Sequence, residues 1–520
     1  MTLAGIDIWV AISYMVILVV LAQWVSREAA GHKKNADDYF LAGRNLSWWA
    51  IGASLIAANI SAEQIIGMSG SAFVMGMAIA SYEWMSAITL ILVGKYFLPI
   101  FLANKIYTMP QYLEQRYDHR VRMVMAVFWL GVYVFVNLTS ILWLGALAIN
   151  SITGLDITVA LVALGAFTAA YSLYGGLKAV ALTDIIQVTL LVFGRLMIAY
   201  IALDQISGGA GAPAGFALLL DQAPEKFDMI LSKDNPNYVS LPGISVLVGG
   251  MWIMNLSYWG FNQYIIQRAL AAKSVSEAQM GIVFAAFLKL LIPVFVVVPG
   301  IAAVILMPDL GAPDQAYPEV MKLLPVGFKG VVFAALIAAI VSSLASMTNS
   351  ISTIFTMDIY RHFDKEASQY RLVTLGRVIS LSALVIAVLI ARPLLGTFDQ
   401  AFQYIQEFTG FFTPGVVVLF MLGMFWKGTT PAGALVAALS SAILSLGFKL
   451  LWPELPFIDR VGLVFILCAL VAIVVSLAKP SSATVTTVKT SSIDFGTSRG
   501  FNTAAVAVTL ILAALYATWW

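Results

Sequence analysis

The run Ile51-Gly-Ala-Ser-Leu-Ile-Ala-Ala-Asn59-Ile-Ser61-Ala-Glu63-Gln64-Ile-Ile-Gly67-Met-Ser-Gly70 decides how the rest of the chain is read. Its length and apolarity suit a bilayer, which about 20 apolar residues cross. Asn59, Ser61, Glu63 and Gln64 interrupt it near its middle, where an ionisable group costs about 2.5–3.5 kcal/mol on insertion scales. Asn59 and Glu63 are four residues apart and share a face for as long as the helix is continuous. One reading is a helix with a polar face packed on its neighbours. The other is a discontinuous helix whose freed carbonyls and polar side chains bind an ion and a solute.

The whole composition agrees with a membrane setting. Of 520 residues, 61% are hydrophobic and 11% charged, and the mean hydropathy is +0.91. Soluble domains carry about 25% charged residues, so the chain reads as an all-α polytopic membrane protein. The formal net charge of +2 and the lack of a basic cluster give no sign of nucleic acid. A single cysteine, Cys468, excludes an intrachain disulfide. The first apolar run lacks a basic leader and a small-residue cleavage pattern, so it is expected to remain as a span.

Apolar windows predict fourteen spans, near 5–25, 46–70, 79–102, 123–150, 158–174, 182–206, 242–267, 276–306, 328–360, 372–391, 398–424, 431–452, 458–477 and 502–520. Residues 207–241 and 307–327 form loops expected on one side, and 478–500 a Ser/Thr-rich linker. Basic residues collect in the odd-numbered connections: Arg27, Lys33, Lys34, Arg44, Lys105, Arg116, Arg120, Arg122, Lys178, Arg268, Lys273, Arg361, Lys365, Arg371, Lys427, Lys479, Lys489 and Arg499. The even ones hold Lys226, Lys233, Lys322, Arg392, Lys449 and Arg460. This bias places the odd connections in the cytoplasm and both termini outside it.

Intramembrane ionisable groups are functional candidates by default. They are Glu63, Glu83, Lys95, Asp184, Arg195, Lys289 and Glu407. Lys95 lies near a span end and is expected to snorkel; Arg195 is expected to snorkel or pack. Glu63, Glu83 and Lys289 could share one cavity, or form a purely structural salt-bridge cluster. A second interrupted run, from Leu247 to Gln263, repeats Asn-(Ile/Leu)-Ser at 255–257 as at 59–61. The two runs open consecutive groups of five spans, and paired interrupted segments in two halves point to an inverted-repeat transporter site. In span nine, Ser342, Ser346, Asn349, Thr353 and Thr356 form a polar stripe, with Ser343 and Ser350 beside it. The stripe fits a hydrogen-bonded helix interface or a cation site built from oxygen ligands. His32, His119 and His362 all fall in loops, which removes an embedded histidine relay, and no P-loop or His-Glu-x-x-His pattern occurs. A membrane enzyme is therefore disfavoured, and a solute-binding sensor or channel stays open.

Several longer runs carry a resemblance. They are Ala57-Ala-Asn-Ile-Ser-Ala-Glu-Gln64, Ala80-Ser-Tyr-Glu-Trp-Met-Ser86, Phe135-Val-Asn-Leu-Thr-Ser140, Tyr174-Gly-Gly-Leu177 with Thr183-Asp184, and Tyr258-Trp-Gly-Phe-Asn-Gln-Tyr-Ile-Ile-Gln-Arg268. Val341-Ser-Ser-Leu-Ala-Ser346, Phe355-Thr-Met-Asp-Ile-Tyr360 and Phe402-Gln-Tyr-Ile-Gln-Glu407 follow. Over nearly its whole length the chain resembles the solute:sodium symporters, in their sugar-transporting branch. The resemblance implies 14 transmembrane helices with a LeuT-type core of two inverted five-helix repeats. The expected divisions are an extra helix and loop at 1–45, a first repeat at 46–206 and an extracellular loop at 207–241. A second repeat at 242–424 and three further helices at 425–520 complete them.

The resemblance also assigns roles. Gln64, Glu83, Ser86, Asn255, Lys289 and Gln406 would hydrogen-bond a monosaccharide (galactose or glucose), with Asn59 and Glu63 nearby. Tyr258 backed by Trp259 would form an inner gate, and Met68 and Phe73 an outer one. The carbonyls of Ala57, Ile60 and Ala339 with the hydroxyls of Ser342 and Ser343 would hold sodium, which leaves past Asp184. No cofactor is implied beyond the coupling ion, and the location implied is a bacterial inner membrane. Ser257 stands where sugar-transporting members have an aromatic residue. Ala345 stands where two-sodium members have threonine, which implies one sodium per sugar. Inositol, proline or sialic acid are the alternative solutes.

Overall fold

A computed structural model of the protein describes residues 3–25, 36–172, 176–396, 401–479 and 493–520, with only the backbone described at 22, 25, 36, 37, 39, 172, 176–185, 188 and 401. Arg27, Lys33, Lys34, Lys489 and the Tyr174-Gly175 part of the quoted motif lie outside these residues, as do the side chains of Lys178, Thr183 and Asp184. Among the described residues every regular element is helical, apart from one bridge between Leu46 and Ala272. Each segment predicted as a span contains a helix. Nine helical stretches are long and apolar enough to cross a bilayer alone, or up to ten with one bent pair, among the described residues. Gly5–Leu21 and Ile157–Tyr171 are apolar but shorter, and the 46–70 run is divided into pieces.

That division falls where Asn59 and Ser61 suggest. Trp48–Asn59 is α-helical, and Ile60 leaves the helix at φ −75°, ψ 72°. The Ser61 amide turns back to the Asn59 carbonyl at 2.8 Å, not to that of Ala57, its α-helical partner. The Glu63 amide donates to the Ser61 hydroxyl at 3.2 Å, a local bond that competes with the helix ladder. The chain resumes as a π turn over Glu63–Gly67 and an α-helix over Met68–Met75. Gly76 then turns the chain at φ +69°. A Cβ there would stand 2.2 Å from the Lys226 carbonyl, so only glycine lets the 207–241 loop approach.

The second interruption differs from its expected place. Asn255 and Ser257 sit in unbroken helix, Gly250–Leu256 running into a π turn at Ser257–Phe261. The backbone leaves the helix before these residues, at Gly249 (φ −114°, ψ −132°), and after them at Asn262, φ −84°, ψ 119°. Tyr133 fixes that point, since its hydroxyl donates to the Asn262 side chain and accepts from the Gln263 amide at 2.9 Å. A third break was not expected: Phe402–Gly410 and Thr413–Phe425 meet at 49°, where Pro414 cannot continue an upstream ladder.

The helix Phe328–Phe363 is the axis of the molecule, with 94% of its most apolar window buried. Val275–Leu306 packs against Trp48–Asn59 and Ser81–Leu92. Pro431–Leu451, Phe457–Ala478 and Arg499–Thr518 lie outermost, with only 22%, 28% and 17% of their windows buried. Their exposed Ile443, Leu450, Val474 and Leu510 form the apolar face a bilayer requires.

The first helix, Gly5–Val25, is tied to the axis by one carboxylate. Asp7, fully buried, accepts from the amides of Gly327 at 2.7 Å and Gly330 at 2.9 Å. It thereby caps the start of Phe328–Ile354 from another helix. Asp7→Ala would leave those buried donors unmatched, a loss of about 1–3 kcal/mol. A lower Tm of the detergent-purified variant, with sugar affinity unchanged, is the expected result.

Candidate functional site

The breaks surround one cavity, with ≈ 840 Å³ of space not filled by atoms when its open mouth is included. Asn59, Glu63, Gln64, Glu83, Ser86, Asn255, Lys289 and Gln406 all line it, so every residue that the resemblance assigns to sugar contact meets there. Tyr258, Trp259 and Ser257 line it too. Five separate stretches supply this set, which explains why none of them alone identifies a site.

Lys289 is the electrostatic centre. Its ammonium, with no solvent exposure, donates to the Glu83 carboxylate and to the Asn59 carbonyl oxygen. It also lies 4.7 Å from the Trp259 ring centroid, a cation–π contact. Pro293, four residues on, has no amide to donate to the Lys289 carbonyl, which loosens the helix beside the charge. Asn59 continues the chain of bonds by donating to the Tyr258 hydroxyl at 3.0 Å, which in turn bonds that of Tyr264. Ser86 donates to the Asn255 carbonyl oxygen at 2.7 Å. The salt-bridge cluster is thus real, yet it is lined up along a cavity, and two carboxylates face one ammonium. The Gln64 amide oxygen is buried there without a hydrogen-bond partner, an acceptor for which the protein supplies no donor.

Behind the cavity, the first break meets the polar stripe. Ser343 donates to the Ala58 carbonyl at 2.9 Å, joining the two helices at the point where the ladder opens. Ala57, Ile60, Ala339, Ser342 and Ser343 are all buried there. Further along the stripe the hydroxyls serve the helix interface. Ser346 donates to the Ser342 carbonyl at 2.7 Å, Ser350 to the Gln267 side chain at 3.0 Å, and Thr353 accepts from Gln267 at 3.2 Å. Arg268 clamps the same region, donating to the Ser54 hydroxyl at 2.8 Å, the Tyr264 carbonyl at 2.5 Å and the Ser346 hydroxyl. At these positions the hydrogen-bonded interface reading of the stripe applies.

Met68 is buried and Phe73 half-buried outside the cavity lining. Phe73 meets the 207–241 loop through its backbone, whose carbonyl accepts from the Lys226 ammonium at 3.1 Å, with that of Val74 at 2.8 Å. Burial within that contact holds the Lys226 ammonium below the usual lysine range. Two residues not singled out in the sequence cover the same end. Tyr82 meets Phe402 edge-on at 5.3 Å, and Phe402 lies over Gly67, whose missing Cβ makes the room. Both belong to quoted runs, but only the fold pairs them. Glu407 stays outside the cavity lining, held by Lys449 at 2.8 Å and Arg460 at 3.1 Å. Lys95 is half-buried over Tyr96. Arg195 does not snorkel: it is 2% exposed.

A broken apolar helix, an oxygen-lined junction and a polar cavity between helices are the parts of a secondary transporter. The sequence pattern of the Sodium:solute symporter family matches residues 39–440, and the chain belongs to that family. It is 51% identical over its whole length, and 99% of the relative's, to the sodium/glucose cotransporter of Vibrio parahaemolyticus. It is 34% identical to the human sodium/myo-inositol cotransporter 2, over 85% of this chain and 69% of the relative. Among solved structures, a substrate-bound, outward-open sodium-coupled sialic acid symporter shares the fold with a TM-score of 0.81, covering 92% of this chain and 99% of that one at 23% identity.

Proposed function

We propose that the protein is a sodium-driven symporter that imports a hexose, glucose or galactose, across a bacterial inner membrane. The convergence of eight hydrogen-bonding side chains on one cavity, next to a helix break that frees neutral oxygens, carries this reading. A hexose hydroxyl needs a donor and an acceptor, which Asn59, Asn255, Gln64, Gln406, Ser86 and the Glu83–Lys289 pair offer in alternation. Glu63 supplies a further acceptor. The relatives named for glucose and myo-inositol support a polyhydroxylated substrate.

Sodium, as co-substrate, is held by the Ala57, Ile60 and Ala339 carbonyls and the Ser342 and Ser343 hydroxyls. These are uncharged oxygens, which suit a hard monovalent cation. Ser343 can donate to Ala58 while its lone pairs face the ion, so one residue reports occupancy to the broken helix. Asp184 lies on the ion's way to the cytoplasm. Alanine at 345 favours one sodium per sugar.

The cavity extends past Tyr258 toward Phe128, Tyr133, Asn262 and Phe412. These lie toward the helix ends carrying the basic connections, which the charge bias places in the cytoplasm with both termini opposite. The other end is closed by Tyr82 on Phe402 and by Lys226 on the Phe73 carbonyl. Fourteen spans arranged as 1–45, 46–206, 207–241, 242–424 and 425–520 accommodate this, 46–206 and 242–424 being inverted repeats. Alternating access then requires Tyr258, edge-on to Trp259 at 5.1 Å, to yield inward as Tyr82 and Phe402 part outward. The drive includes about 2.3 kcal/mol per charge per 100 mV.

Proteoliposomes with an inward sodium gradient test the reading. Labelled galactose or glucose accumulates, each competes with the other, and preloaded sugar drives counterflow. Accumulation unchanged in potassium, or displacement by proline but not by hexose, would overturn it; absence of counterflow would indicate a channel or sensor.

A further inference from the structure

A second cavity, of ≈ 360 Å³, lies where the loop helix Ala212–Gln222 meets the end of the last helix, Arg499–Thr518. It shares no lining residue with the sugar cavity. Its inner wall is the buried Met77 and Trp84, and Phe216 and Trp519 cover it from the loop side. It opens sideways. Val294 on its rim is 43% exposed, and the exposed Leu291 and, on the last helix, Ile511 continue outward from it. The mouth is therefore continuous with the apolar face that the bilayer covers.

The chemistry of the walls narrows the occupant. They are apolar side chains, and the Trp84 indole N–H is spent on the Leu290 carbonyl at 3.4 Å. A cavity without polar partners does not hold water, and a lipid headgroup would find no donor or acceptor inside. A helix about 10 Å across fills roughly 420 Å³ in a single turn, more than the cavity offers. A run of methylenes is thin and flexible, and it restores the dispersion contacts that bare walls lack. Trp519 marks one end of the space, and tryptophan is the residue that sits at headgroup level.

We propose that this cavity binds one acyl chain of a bilayer phospholipid, with the headgroup at the Trp519 end, and that the chain braces the 207–241 loop. Phe227 of the loop meets Phe216 edge-on at 5.7 Å and Trp519 at 6.3 Å, and the Met229 amide donates to the Trp519 carbonyl at 2.9 Å. Phe227 directly follows Lys226, whose ammonium holds the Phe73 and Val74 carbonyls. The residues that cover the acyl chain are thus packed against those that close one end of the sugar cavity. The bracing rests on the reading of that contact as an outer closure; the binding does not.

The test uses the purified full chain in phosphatidylcholine vesicles that carry a trace of phosphatidylcholine with a diazirine midway along one acyl chain. Sodium and sugar are absent, so labelling stands apart from the transport reading. After irradiation, peptide mass spectrometry is expected to find the label concentrated on Met77, Trp84 and Val298. Val294→Trp lowers that labelling about tenfold, because an indole takes the space of the chain, while labelling at Leu450 and Val474 stays unchanged. Label spread evenly over Ile443, Leu450, Val474 and Leu510, with none concentrated on Met77 and Trp84, shows annular lipid only and overturns the proposal. Unchanged labelling in a folded Val294→Trp does the same, as does displacement of the label by a sterol but not by excess phosphatidylcholine. Hydrogen exchange reads the bracing: amides of 226–229 should exchange more slowly as phosphatidylcholine is added to the protein in detergent micelles, and Val294→Trp should lose that response. Exchange indifferent to lipid in the unmodified protein overturns the bracing.

Discussion

Lys289→Met is expected to abolish sodium-driven sugar accumulation, at least 100-fold below the unmodified protein in proteoliposomes. The ammonium has no solvent exposure and is held by Glu83 and Asn59. Removing one partner of such a pair strands the other, at about 3–5 kcal/mol, or about two to four powers of ten in an equilibrium. The effect has two components, and a double substitution separates them. Lys289→Met with Glu83→Gln leaves neither partner of the pair stranded, so the expected Tm returns toward that of the unmodified protein. Transport stays lost, because the donor and acceptor facing the sugar are both gone. If the double variant regains accumulation, the pair is structural and the sugar is bound elsewhere.

Much of this site could be read from the order of residues alone. Asn59, Glu63 and Gln64 stand out because polar groups in an apolar run need a reason, and the break follows from Ser61 and Asn59 competing for backbone groups. Lys289, Glu83 and Asn255 stand out for the same reason, although only the resemblance brings them to one place. Other features depend on partners distant in sequence. The second break lies at Asn262, not 255–257, because a π turn keeps Ser257–Phe261 bonded and Tyr133 anchors the extended residue. The outer closure rests on Tyr82 meeting Phe402, 320 residues away in the chain. The bend at Gly410 carries the signals of a glycine and a following Pro414, yet hydropathy averages over both. Of the two alternatives for Arg195, snorkelling or packing, the structure shows packing: it is 2% exposed and lies beside Tyr317 and Leu336.

Ser343→Ala is expected to uncouple the protein from sodium while leaving the sugar cavity intact. The side chain donates a hydrogen bond that joins the broken helix to the polar stripe, to Ala58 at 2.9 Å, and lines no part of the cavity. Its loss leaves the Ala58 carbonyl buried without its donor and takes one oxygen from the proposed ion shell. A hydrogen bond or contact to a charged partner is worth about 1.5–3 kcal/mol, so the sodium concentration for half-maximal uptake should rise about 10- to 150-fold. At saturating sodium part of the uptake returns, which an effect on folding alone would not produce. Sugar binding measured without sodium should change little, since Glu83 and Lys289 keep their pairing and Ser343 lines no part of the cavity. Full sodium dependence at an unchanged half-maximal concentration would remove Ser343 from the ion site. It would also remove the argument that the freed carbonyls near Ala57 and Ile60 are the ion's ligands, because Ser343 is the residue that holds the stripe against them.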